Sequence, residues 1–277
     1  MRHQSILAYA RYRYLKLAAS MTLATIAVYA WDRPPNGPYG GTWLGYTLGT
    51  IGALLIAWLL WFGVRKRQFG STVGTLQGWL SAHVYLGTTL IVIATLHAAF
   101  KVGWNVHTLA YVLMLAVIAS GFYGVYAYLR YPRLMTDNLV DDTLELLIIK
   151  IADLDKQARS LSLSLPDAIS KLVLAAAQGT QIGGSWWQQL SGTVPGCPTD
   201  AAVSGVQTLG RKLVGEQAKT NQKLYALLLK KQELVARARR DVQFKARLDI
   251  WLYFHVPLSI ALLAALTIHI VSVFFYW

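Results

Sequence analysis

The sequence predicts an all-α integral membrane protein, a helical bundle of about five spans with a cytoplasmic helical hairpin insert. Three observations carry that expectation. The chain is 55% hydrophobic and only 14% charged, where a soluble domain is about 25% charged, and its mean hydropathy is +0.40. The apolar residues gather into five runs, four of them near the ~20 residues that a bilayer crossing requires. A single polar stretch of roughly 120 residues separates the fourth run from the fifth, far more than a connecting turn needs.

The spans are read at Lys16–Trp31, Trp43–Val64, Trp79–Lys101, Thr108–Leu129 and Ile250–Tyr276. The first is short. Its basic flank and a possible cleavage after Ala30 also resemble a secretory signal, but it is read as a retained membrane helix. Trp31, Trp43, Trp79, Trp104 and Trp277 fall at or near span ends, as an aromatic belt requires. Lys and Arg concentrate on one side. Arg2, Arg11, Arg13 and Lys16 lie before span one, Arg65, Lys66 and Arg67 after span two, Arg130 and Arg133 after span four, and Lys245 and Arg247 before span five. The opposite loops hold only Arg33 and Lys101. The expectation is a protein of the plasma (bacterial inner) membrane, N-terminus cytoplasmic and C-terminus extracytoplasmic. The net charge of +13 is then accounted for by topology and anionic lipid headgroups. A docking face for an acidic electron carrier is the alternative, and nothing points to nucleic acid. The one cysteine, Cys197, excludes a disulfide framework, a CxxC pair and the CxxCH of covalent haem attachment.

Three regions follow: membrane helices over 1–129, an insert over 130–249, and a last membrane helix over 250–277. In the insert, Asp141–Asp142 are expected to cap a helix from Thr143. Leu144, Leu147, Ile148, Ile151 and Leu154 then form a 3-4 stripe. A second helical run is read from Val203 to Arg247, with Leu224, Leu227, Leu228, Leu234 and Val235 apolar and no Pro, continuing into span five. A shorter helix is expected near Pro166–Gln178. Residues 179–200, rich in Gly, Pro, Ser and Thr, read as a loop tip. Its Trp186–Trp187 pair is expected to pack within the insert, with a partner-binding knob as the alternative. There are no internal repeats.

Four of the six histidines lie in two spans at one spacing: His83 and His97 in WLSAHVYLGTTLIVIATLHAAF, His255 and His269 in YFHVPLSIALLAALTIHIVSVFF. Fourteen residues at about 100° each return to within roughly 40° of the starting direction, so each pair occupies one helix face. The members of a pair are about 21 Å apart along the axis. An ionisable residue inside a span is a functional candidate, and two matched pairs on parallel helices offer two imidazole–imidazole gaps at two depths. Each gap suits a haem with two axial histidines. Zinc suits the pattern poorly, because no Cys, Asp or Glu within the spans completes a four-ligand shell. With four spans before it, span five runs in the direction of span three. That pairs His83 with His255 for a cytoplasmic-side haem iron and His97 with His269 for an outer-side one. The cofactors expected are two noncovalent haem b groups.

The paired H-x13-H segments, with HVYLG…LHA in span three, resemble the ferric reductase-like transmembrane domain, a family that includes NADPH oxidases and metalloreductases. The likeness covers roughly residues 15–129 and 250–277 and implies two stacked b haems on His83, His97, His255 and His269. The same spacing recurs in the cytochrome b of quinol:cytochrome c oxidoreductases. Around these ligands, Gly87 is a candidate for close approach of a porphyrin, with ordinary helix packing the alternative. Lys101 on the outer side, and Lys245, Arg247, Arg65 and Arg67 on the inner side, are candidates to neutralise haem propionates. His107 is read as an interfacial or propionate-contacting residue, and Pro257 as shaping the helix beside His255.

The chain lacks a GxGxxG after a strand, ferredoxin cysteines and a flavin motif. The expected role is electron transfer across the membrane as the cytochrome b subunit of a larger oxidoreductase complex. Its expected partners are a flavoprotein, an iron–sulfur protein or a cytochrome c, with quinone possible. A quinone-reactive cytochrome b or metalloreductase is the first alternative, and a haem-based membrane sensor the second.

Overall fold

The computed structural model describes residues 6–68, 74–140 and 142–275. Arg2, Asp141 and Trp277, and the Tyr276 end of the fifth span, lie outside the described residues. All regular structure in the described residues is helical. The chain divides into one unit of Met1–Val125 with Trp251–Trp277 and a second of Tyr126–Ile250.

The first unit begins with a 3-10 turn, Ile6–Ala8, and α1 (Tyr9–Trp31). It continues with α2 (Trp43–Arg65) and α3 (Leu76–His97). It also takes the start of α4 (Val106–Leu139) and the end of α9 (Gly215–Phe275). Helices α2, α3, α4 and α9 are long and apolar enough to cross a membrane. Helix α1 is not among them: Arg11, Arg13 and Lys16 sit in its opening turns, and Ala10, Arg11 and Tyr12 have φ of 46°, 55° and 63°. Regular helix therefore starts beyond Tyr12.

Threonines start two of these helices. The Thr42 hydroxyl accepts from Gly45 N (3.0 Å) and the Thr75 hydroxyl from Gly78 N (3.1 Å), each satisfying a backbone donor that a helix start leaves open. Helix α1 lies along α3, where Tyr85 donates to the Leu7 carbonyl (2.9 Å) and Thr89 to that of Ala18 (3.3 Å). Ile56, Leu90, Met114 and Leu262, one from each of the four apolar helices, meet in a buried cluster. Leu44 and Leu48 of α2 form a second with Ile93 of α3. Large apolar side chains on the same helices, such as Leu54, Trp61, Ile260 and Phe274, stay exposed, the surface expected of helices solvated by lipid.

The second unit is more than a hairpin. It contains α5 (Leu144–Ser162), α6 (Asp167–Gly179), α7 (Trp186–Ser191) and α8 (Pro198–Gly210), along with the tail of α4 and the first part of α9. The run expected from Val203 to Arg247 is broken: α8 stops at Gly210, and α9 begins at Gly215 with φ of +60°, a backbone state that favours glycine. The cap of α5 is Thr143, whose hydroxyl accepts from Leu146 N (3.2 Å). Asp142 instead pairs with Lys150 at 2.5 Å and with Arg237 at 3.6 Å. Of the stripe, Leu147, Ile151 and Leu154 are buried against Leu234, Val235 and Ala238, while Ile148 is 46% exposed. The shorter helix falls at α6, whose Ile169, Val173 and Ala176 pack with Val203, Val206, Leu224 and Leu228.

The tip is partly helical. Ser185 and Gln188 form a reciprocal capping box at the start of α7, and both indoles that follow are exposed, Trp187 by 81%. Neither is buried within the insert as expected. Helix α4 runs ten residues past the expected Leu129, through Pro132, to Leu139.

Candidate cofactor site

All four paired histidines, and His107, belong to the first unit. His97 is the last residue of α3. Its ring lies against α2, where Nδ1 is 2.7 Å from the Gly45 carbonyl oxygen. A carbonyl only accepts, so His97 donates through Nδ1 and keeps the lone pair of Nε2. Glycine makes this seat possible. A Cβ at Gly49, one turn further along α2, would come within 2.7 Å of His97 Cε1, and one at Gly40 within 3.5 Å.

Across from it, the rings of His97 and His269 have centroids 6.0 Å apart and planes at 90°. His107, in the first turn of α4, stands edge-on to His269 with centroids 4.5 Å apart, and the two Nδ1 atoms are hydrogen-bonded to each other.

The second pair is His83 and His255, close enough to act on one another electrostatically. His255 Nδ1 is 2.7 Å from the Ser120 hydroxyl of α4, and that hydroxyl donates its only proton to the Val117 carbonyl, also at 2.7 Å. Ser120 must therefore accept from His255, which again leaves Nε2 with its lone pair. Trp251, one turn before His255, packs beside its ring at 5.2 Å and fits against Gly124, where any Cβ would collide with the indole. A Cβ at Gly121 would stand 3.7 Å from His255 Cε1. The His83 ring lies 5.1 Å from that of Phe62. Its Nδ1 is buried without a hydrogen bond of ordinary geometry, although the Leu59 backbone faces it. His83 lies near His255 as His97 lies near His269, so the two elements run parallel over this stretch.

The His97–His269 pair has the ring spacing that a haem with two axial histidines would need. An imidazole nitrogen binds a first-row metal at about 2 Å, so rings on opposite faces of one iron have centroids roughly 6 Å apart, the spacing of His97 and His269. Three of the four rings already hold an acceptor or partner on Nδ1, the arrangement that fixes tautomer and orientation in metal-bound histidines. His83 is the exception. Among the described residues no three His, Cys, Asp or Glu side chains are grouped to hold a metal ion.

The other expected residues are placed as follows. A Cβ at Gly87 would make only ordinary contact, 4.0 Å from Leu59 Cδ1. Arg65 is buried and donates to the carbonyls of Gln68 (3.2 Å) and Gly74 (2.9 Å), so it ties down the end of α2. Arg67 is exposed, and Lys101 rests over the Tyr39 ring at 5.6 Å. Arg247 and Lys245 belong to the second unit. Sequence reasoning missed Ser120, Trp251 and the glycines that receive the rings. A signal existed in Gly45, Gly49 and Gly52, which share one face of α2 at 4-3 spacing. No protein-family model, curated protein or solved structure matches this chain.

Proposed function

We propose that this chain is the membrane cytochrome b subunit of an oxidoreductase complex, passing electrons across the bilayer through two noncovalent haem b groups. The reading is supported by one observation: two histidine pairs of identical spacing lie side by side, His97 against His269 and His83 near His255, with Nδ1 of three rings already engaged. When bound, haem iron supplies one-electron chemistry within an apolar barrier about 30 Å thick. The protein's part is to aim four imidazoles and to fix their tautomers through Gly45, Ser120 and His107. It also keeps water from the iron by packing the apolar helices around them.

In this reading α1 is a fifth span, its Arg and Lys turns at the cytoplasmic surface. The N-terminus and the second unit are cytoplasmic and the C-terminus extracytoplasmic, which assigns His83 and His255 to the inner side and His97 and His269 to the outer. The helical second unit is the dock for a flavoprotein, iron–sulfur protein or cytochrome c. Pyridine haemochrome analysis of the purified chain is expected to give two b-type haems per polypeptide, both released by acid acetone. One haem, or none, overturns the proposal. Topology is checked separately by a cysteine introduced at Ser185, because the native Cys197 is buried. It is expected to react only with a membrane-permeant reagent in intact cells.

A further inference from the structure

His107 is not part of the matched spacing, yet it touches one of the four ligands directly. Its place is well defined. Asn105 caps the start of α4, its side-chain oxygen accepting from Thr108 N (2.9 Å) and its carbonyl from Leu109 N (3.1 Å), while the Thr108 hydroxyl accepts from Gly103 N (3.0 Å). The capped first turn presents His107 to His269 edge-on, Nδ1 to Nδ1.

Two ring nitrogens that face each other share one proton, so one donates and the other accepts. If the proton sat on His107, His269 would accept through Nδ1, hold its own proton on Nε2, and have no lone pair for a metal. If His269 donates, its Nε2 is free, and His107 accepts through Nδ1 while carrying its proton on Nε2. Only the second arrangement lets His269 bind iron. The Gly45 carbonyl imposes the equivalent arrangement on His97 (2.7 Å), and Ser120 does so on His255 (2.7 Å).

We infer that His107 is a positioning residue for the outer haem, the hydrogen-bond acceptor that fixes the tautomer and orientation of the axial ligand His269. This rests on the haem reading proposed above, and it replaces the interfacial or propionate-contacting role expected for His107 from the sequence. An acceptor on Nδ1 draws the proton away from the ring and strengthens Nε2 as a donor. A stronger donor favours the oxidised iron and holds the potential of that haem down. Losing such a partner commonly weakens a metal site 10- to 100-fold. A tenfold loss of preference for the oxidised form corresponds to about 59 mV for a one-electron couple.

The test is a redox titration of the full-length protein in lipid nanodiscs, followed in the haem α-band, for wild type and four variants. His107→Leu removes the acceptor, His107→Asn restores one through its amide oxygen, and His107→Lys offers donors only. His97→Ala identifies which component is the outer haem. The expected result is two haems in every His107 variant. The outer potential is expected to rise by about 59 mV or more in His107→Leu and in His107→Lys, and to return most of the way in His107→Asn, with the inner potential unchanged. An unshifted outer potential in His107→Leu overturns the inference. Rescue by His107→Lys instead of His107→Asn also overturns it, because a propionate contact needs a donor. Loss of one haem in both His107→Leu and His107→Asn would make His107 a ligand itself and overturns it too. If His107→Leu does not fold, the comparison of Asn with Lys decides alone. A wild-type protein without two haems refutes the parent reading, before any His107 variant is compared.

Discussion

Replacing Gly49 by Ala should selectively damage the outer site. The new Cβ would stand 2.7 Å from His97 Cε1, 3.0 Å from Nδ1 and 3.3 Å from Nε2. Ordinary contact begins at 3.4 Å, so the ring has to retreat by about 0.7 Å. Nδ1 is now 2.7 Å from the Gly45 carbonyl, and the same displacement stretches that bond to the edge of useful hydrogen-bond geometry. Overpacking costs about 1–3 kcal/mol. Loss of the partner on a ligand imidazole typically reduces cofactor affinity 10- to 100-fold, about 1.4–2.7 kcal/mol. The assay is haem occupancy by pyridine haemochrome, with a redox titration to show which component declines. Gly49→Ala is expected to keep the inner haem and lose much of the outer one. Gly63→Ala is the control on the same helix: nothing lies within 4 Å of its Cβ position, and both haems should persist. Full outer occupancy at an unchanged potential in Gly49→Ala would mean that the His97 ring is not seated on α2, and the reasoning fails.

Ser120→Ala removes the acceptor of His255 Nδ1 and should weaken inner haem binding 10- to 100-fold, seen as loss of that component on dilution, with the outer one intact. Lys231, 1% exposed, pairs with Asp155 (2.6 Å) and donates to the Ala176 carbonyl (2.8 Å). Lys231→Ala should destabilise the insert by about 3–5 kcal/mol, read by limited proteolysis of the full chain, with much of the loss recovered in a Lys231→Met, Asp155→Leu double variant. Asp241 is 4% exposed with Oδ1 unpartnered. Burial raises its pKa, against a smaller opposing pull from Lys245. The folded state therefore binds the proton more tightly than the unfolded one, and stability falls as pH rises through the raised value. Asp241→Asn should raise the melting midpoint at pH 7, with the advantage gone below about pH 4.

The helical class and the four apolar helices were legible because hydrophobic length and helical period are local properties of the chain. The spacing of His83 to His97 and of His255 to His269 was legible for the same reason. Their neighbours were not. Ser120 becomes a partner of His255 only when α4 and α9 pack, and Gly49 matters only because the His97 ring rests on it. The insert was harder to read, because polar helical runs conceal their breaks. Gly210 and Gly215 marked one, without a proline to announce it. The Ser185–Gln188 capping box was a local signal of α7 hidden within a segment that otherwise reads as loop.

The two ends of the site also differ in how mutation can reach them. The oxygen that orients His97 belongs to the main chain of residue 45, and every amino acid supplies that carbonyl. Residue 45 is closed for a separate reason, since a Cβ there would lie 2.6 Å from the Gly40 carbonyl oxygen. The oxygen that orients His255 belongs to a serine side chain, which substitution by alanine erases while leaving the helix whole. His97 thus keeps its hydrogen bond through any substitution at residue 45 that the fold survives. His255 can lose its hydrogen bond alone, and so can His269, whose partner is the His107 side chain, so His97 is the ring whose partner no side-chain change removes.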